Sequence, residues 1–126
     1  MQAVHTGNAP APAGHYSQAV RAGQFLFVSG QLPIRSCGAH VTRSPSEQTT
    51  QALENVKAIV EAAGGSMCDL VQANVYVTSV DYWPEVNSAY LAFLRDCPIP
   101  PARAVVPVKE LHYGFLVEIQ AVAYLP

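Results

Sequence analysis

The chain has 126 residues, half of them hydrophobic, with 13% charged and a formal net charge of −2. That length fits one domain, residues 1–126, able to bury roughly two-thirds of its unfolded surface without disulfide staples. The sequence holds no basic stripe and no apolar run near the ~20 residues of a membrane span, which argues against phosphate-driven nucleic-acid binding and against a spanning helix. An average globular domain carries roughly 25% charged residues, so much of this surface is expected to be covered by other subunits. The first 14 residues have neither the basic start nor the apolar core of a signal peptide. Three cysteines at unrelated spacings, Cys37, Cys68 and Cys97, suit a reducing compartment better than a disulfide framework, so a cytoplasmic location is expected.

In chain order, residues 8–14 (NAPAPAG) should run extended over the surface. Residues 24–30 (QFLFVSG) read as a strand buried on both faces, with residues 17–22 as its hairpin partner around Gly23. A loop at 35–43 precedes a strong helix start. Ser44 takes the N-cap, Pro45 the first helical position, and Glu47 completes a capping box. Ala52, Val56, Ile59, Val60 and Ala63 form the apolar stripe of that helix, and Gly64-Gly65 ends it. Residues 70–78 alternate, with Val71, Ala73, Val75 and Val77 on one face. Asp81 should cap a second helix with the stripe Val86, Ala89, Tyr90, Phe93 and Leu94, stopped by Pro98, Pro100 and Pro101. Strands follow at 103–108 and 115–124.

The expected architecture is α+β, with two helices on one face of one sheet. The other face carries Gln72, Asn74, Tyr76, Glu118 and Gln120 among apolar neighbours. It is too apolar to stay wet, and a symmetric oligomer would cover it.

Arg103 opens an Ala/Val strand, and arginine is rarely buried unless paired. It is either a carboxylate anchor, by its bidentate fork, or half of a structural ion pair, for instance with Glu118. Glu118 is a lone acid in LVEIQAV. It could place a water or act as a general base, or it could be an edge residue or the partner of Arg103. Tyr16 could bring a phenol to a pocket or be merely half-buried, and Asn87 could be a polar helix face. The four histidines and three cysteines show no metal-ligand spacing, and no phosphate-binding or serine-hydrolase motif is present.

Six stretches in order carry a resemblance across residues 6–123: GHYSQAV, FVSGQLP, QTTQALENVKAIVEAAG, VNSAYLAF, PARAVVPV and GFLVEIQAVA. Together they resemble the RidA/YjgF family of enamine and imine deaminases. The resemblance implies a chorismate-mutase-like mixed sheet and a homotrimer with clefts between subunits. It implies hydrolysis of 2-enamino and 2-imino acids such as 2-aminoacrylate to 2-keto acids and ammonium, with no metal and no organic cofactor. By the same resemblance Arg103 is the carboxylate anchor, Glu118 places the attacking water and Tyr16 lines the cleft. Ser29, Gly30 and Asn87 surround it, and a backbone N–H near Val105 helps hold the carboxylate. The chain departs from the family pattern at His15, at Val105 and at His112-Tyr113-Gly114, where an imidazole and a phenol replace the usual turn. A non-catalytic metabolite-binding trimer and an RNA-acting protein are the competing readings. An acidic balance argues against the latter, and an acid beside the arginine argues against the former.

Overall fold

The structure is a computed structural model describing residues 1–126. One six-stranded sheet runs in the order β1-β2-β3-β6-β4-β5. The strands are β1 (Gln2–Val4), β2 (Ala19–Ala22), β3 (Phe25–Gln31), β4 (Leu70–Val77), β5 (Ala102–Pro107) and β6 (Val117–Tyr124). All neighbours are antiparallel except β4 and β5, which are parallel and joined through α2. Strand β1 lies outside every element read from the sequence. It is short and has little alternation to announce it.

Helix α1 (Pro45–Ala62) begins as its signals dictate. The Ser44 hydroxyl accepts from the Glu47 N–H at 3.1 Å, and Pro45 costs nothing where no helical N–H is needed. Only half of the capping box forms, because the Glu47 carboxylate turns to Arg43 at 3.8 Å. Helix α2 (Trp83–Leu94) is entered through a 3-10 turn, Val80–Tyr82. Ser79 caps that turn by accepting from the Asp81 N–H at 3.2 Å, while α2 itself has Tyr82 at its N-cap with no side-chain cap, so the cap expected at Asp81 does not form.

Both helices lie on one face of the sheet. Leu53, Val56, Ile59 and Val60 of α1 and Val86 and Tyr90 of α2 bury against Ala73, Val75 and Val77 of β4 and Val117, Ile119, Ala121 and Ala123 of β6. Full burial of one such branched side chain contributes about 1.5–3 kcal/mol. A register shift between Leu70 and Gln72 turns Leu70 into this core and leaves Val71 outside, against the alternation expected from the sequence. The open face has no second layer. Phe27 is therefore 50% exposed, and β3 is buried on one face only.

A second difference concerns the cysteines. Cys68 and Cys97 form a disulfide. Because β4 and β5 are parallel, the segments leading into them meet at the same end of the sheet, which brings together residues 29 apart in sequence. This removes the cysteine argument for a reducing compartment, and Cys37 alone is free. No helix is long and apolar enough to cross a membrane.

Candidate functional site

The open face carries a side-walled recess of about 550 Å³. Its floor is Glu118 and Gln120 of β6 with Ser29 and Gly30 of β3, and its walls are the N-terminal segment, Tyr16 and the His112-Tyr113 turn. Gly30 is required for close approach. A Cβ there would lie 2.8 Å from Glu118 Oε2 and 3.1 Å from its Cδ, so the carboxylate occupies the place of the missing side chain. Burial pushes the Glu118 carboxyl above its usual range, and the nearby His112 charge pulls it partly back.

Polar side chains buried beneath this wall hold it in shape. Gln18, 2% exposed, accepts from the Thr6 N–H at 2.7 Å and donates to the carbonyls of Thr6 at 3.1 Å and Pro10 at 2.9 Å. It thereby pins the Pro/Ala segment against β2. Asn55 of α1 donates to the carbonyls of Leu32 at 3.1 Å and Ile34 at 2.8 Å, fixing two further wall residues. The Ser29 hydroxyl donates to the Ser17 carbonyl at 2.6 Å, and Tyr16 accepts from the Ala13 N–H at 3.2 Å.

The turn after β5 is shaped by aromatic rings. Tyr113 is the one non-glycine residue with positive φ, at 61°. Such a conformation costs of order 1–3 kcal/mol and persists only where the surroundings impose it. Here Phe115, buried, meets the Tyr113 ring edge-on at 6.1 Å, and His40 packs on both rings at 5.3 and 5.0 Å. The loop at residues 35–43 thus folds over the turn, a contact that nothing in its sequence announces.

Arg103 lies elsewhere. Register pairs Arg103 with Ala73 and Val105 with Val75, so both face the helices. Glu118 pairs with Tyr76 on the open face. Within one chain, Arg103 and Glu118 therefore sit on opposite faces of the sheet, and the ion pair between them does not form. Arg103 Nη1 donates to Asn87 Oδ1 at 2.8 Å, and its guanidinium lies 4.8 Å from the centre of the Tyr90 ring. Both partners are neutral, and no carboxylate lies within 4.0 Å of it, since the single ion pair of the chain is Arg43–Glu47. The Tyr90 hydroxyl beneath it is buried without a partner; burial pushes its pKa up and Arg103 pulls it partly back.

The structure thus divides the expected residues into two groups. Tyr16, Ser29, Gly30 and Glu118 meet in the recess, while Arg103, Asn87 and Val105 form a patch at the β5 edge. Sequence reading missed Gln18, Asn55, His40 and Tyr90. The signal for Gln18 was its place two residues after Tyr16 in YSQA, and for Tyr90 its place three residues after Asn87.

Known proteins match this geometry. A family model described as Endoribonuclease L-PSP matches residues 6–125. The chain belongs to that family, the RidA/YjgF family anticipated from its motifs. A RutC family protein of Pyrococcus horikoshii is 42% identical, over 98% of this chain and 97% of its own. The 2-iminobutanoate/2-iminopropanoate deaminase of Salmonella typhimurium is 40% identical, over 95% of this chain and 94% of its own. RidA from an Antarctic Psychrobacter superposes with TM-score 0.93 at 40% identity, covering 99% of this chain and 100% of that one. TdcF of E. coli with bound serine superposes with TM-score 0.95 at 32% identity, covering both chains fully.

Proposed function

We propose that the protein is a homotrimeric deaminase of 2-imino and 2-enamino acids, with each site completed by two copies of the chain. The observation that carries this reading is the state of Arg103. A half-buried guanidinium oriented by an amide oxygen and an aromatic ring, with no acid beside it, is a carboxylate receptor with its charge still available. Its counterpart, the Glu118 recess, opens from the face that a single chain leaves uncovered. Docking the β5 edge of one copy against the open face of another joins the two half-sites and covers Phe25, Phe27 and Tyr124. The deaminase relative and the serine held by TdcF support a substrate of amino-acid size and charge.

In this reading Arg103 of one copy binds the substrate carboxylate in a bidentate bond, helped by the backbone N–H near Val105. Glu118 of the other accepts a proton from water as the oxygen attacks the C=N carbon. That proton passes to the nitrogen to give the neutral carbinolamine. Glu118 then takes the hydroxyl proton as the C=O bond forms and hands it to the nitrogen, so that the C–N bond breaks, ammonia leaves and the 2-keto acid remains. Tyr16, Ser29, Gly30 and Asn87 shape the cleft and hold Glu118 and Arg103 in place. The imine is labile by itself, so orientation supplies most of the required rate gain. The test is ammonia and pyruvate release from freshly generated 2-iminopropanoate, expected to rise in proportion to protein concentration. Release at the uncatalysed rate would leave a metabolite-binding protein of the same fold.

A further inference from the structure

Glu118 and Arg103 account for the carboxylate and the imine carbon. Neither accounts for the strained turn beside Glu118. Tyr113 adopts a left-handed backbone conformation that glycine would take freely, and the residue is 64% exposed on the wall of the recess. The ring is not loose. Phe115 meets it edge-on, and His40 packs at a tilt against both, so three side chains from two loops fix one apolar ring in the recess wall. His112, the preceding residue, is close enough for its charge to act on Glu118, which sets the turn beside the reacting end of the site.

We propose that the Tyr113 ring is the platform for the substrate side chain, and that it selects 2-imino acids, and their 2-keto products, bearing aromatic or large apolar side chains. The inference rests on the deaminase reading of the same site and names its substrate class. An aromatic side chain lying against the ring gains burial and an edge or offset-stacked contact that a methyl group cannot. His40 and Phe115 position the platform and do not touch substrate.

Imines generated from alanine, leucine and phenylalanine by an amino-acid oxidase provide the substrates. The ratio of kcat/KM for the phenylalanine-derived imine over the alanine-derived one is expected to exceed ten in the native protein. It should fall at least tenfold in Tyr113→Ala and be kept in Tyr113→Phe, which retains the ring. In parallel, calorimetry with the stable products compares phenylpyruvate with pyruvate, and the same ring-dependent preference is expected. Deamination of all three imines with similar constants, unchanged in Tyr113→Ala, overturns the platform and leaves the deaminase reading standing. Ring-dependent phenylpyruvate binding without deamination does the reverse. An equal loss on every substrate in Tyr113→Ala, together with dissociation of the oligomer, overturns the platform by making Tyr113 an interface residue.

Discussion

The two groups of residues that make up the proposed site are built in different ways. The Arg103 patch is made by regular elements: α2 packs on β5, and a strand residue meets helix residues through fixed geometry. The Glu118 recess has a regular floor but irregular walls, held by buried amides that reach from Gln18 and Asn55 to loop carbonyls. In the proposed reading, an anchor for a constant carboxylate benefits from rigidity. A wall that meets the variable side chain can differ between relatives without disturbing the sheet, because loops tolerate change that packed elements do not.

That contrast can be broken from either side. Glu118→Gln should lower kcat by about 10²–10⁴, the usual worth of a positioned general base. The same change should stabilise the fold. Burial raises the folded-state pKa of Glu118, so the stability associated with its protonated form is present at low pH and is lost as pH rises through that pKa. The glutamine variant avoids this loss. Its melting temperature should exceed that of the native protein at neutral pH, with the gap closing as pH falls. The acid limb of the native rate profile should lie above the ordinary carboxylate range.

If Arg103 is the carboxylate anchor, Arg103→Ala removes a charge-assisted bond worth about 1.5–3 kcal/mol, so kcat/KM should fall about ten- to a hundredfold or more. Arg103→Lys should also be impaired, because an ammonium cannot copy the planar fork. Retention of native turnover by either variant in steady-state assays would remove the anchor.

Reduction of the Cys68–Cys97 bond opens a cross-link across 29 residues. By chain entropy this should cost about 3–4 kcal/mol of stability in denaturant titration. Because Cys97 precedes Pro98, Pro100 and Pro101 and then Arg103, the increase in amide exchange should concentrate on β5 and spare β3. Gly30→Ala is the mildest probe of the other half. The Glu118 carboxylate can swing away from the new methyl group, so stability should change little while kcat drops several-fold, as shown by paired melting and rate measurements.

The elements with strong periodicity were legible. The stripe of α1, the buried alternation of β6 and the Ser44-Pro45 start all stand where pattern puts them. The bulge that inverts Leu70 and Val71 was hidden, since a register shift depends on the neighbouring strand and not on the segment itself. The Cys68–Cys97 bond was hidden for the same kind of reason, because only the parallel pairing of β4 with β5 brings the two residues together. Among site residues, Arg103 and Glu118 stood out as lone charges in apolar strands. Their separation onto opposite faces follows from register, which individual strands do not reveal. The pinning amides Gln18 and Asn55 look in sequence like ordinary polar residues of a surface.

The central claim is that one site needs two copies, and complementation tests it directly. Arg103→Ala and Glu118→Gln each destroy one half-site. Mixed, unfolded and refolded together, the two impaired variants should regain activity above that of either alone, because some clefts then unite an intact Arg103 with an intact Glu118. The double variant Arg103→Ala/Glu118→Gln refolded with native protein sets the reference for random mixing. Activity of the mixed single variants no higher than that of each variant alone, in hetero-oligomers confirmed by mass, would contradict the account.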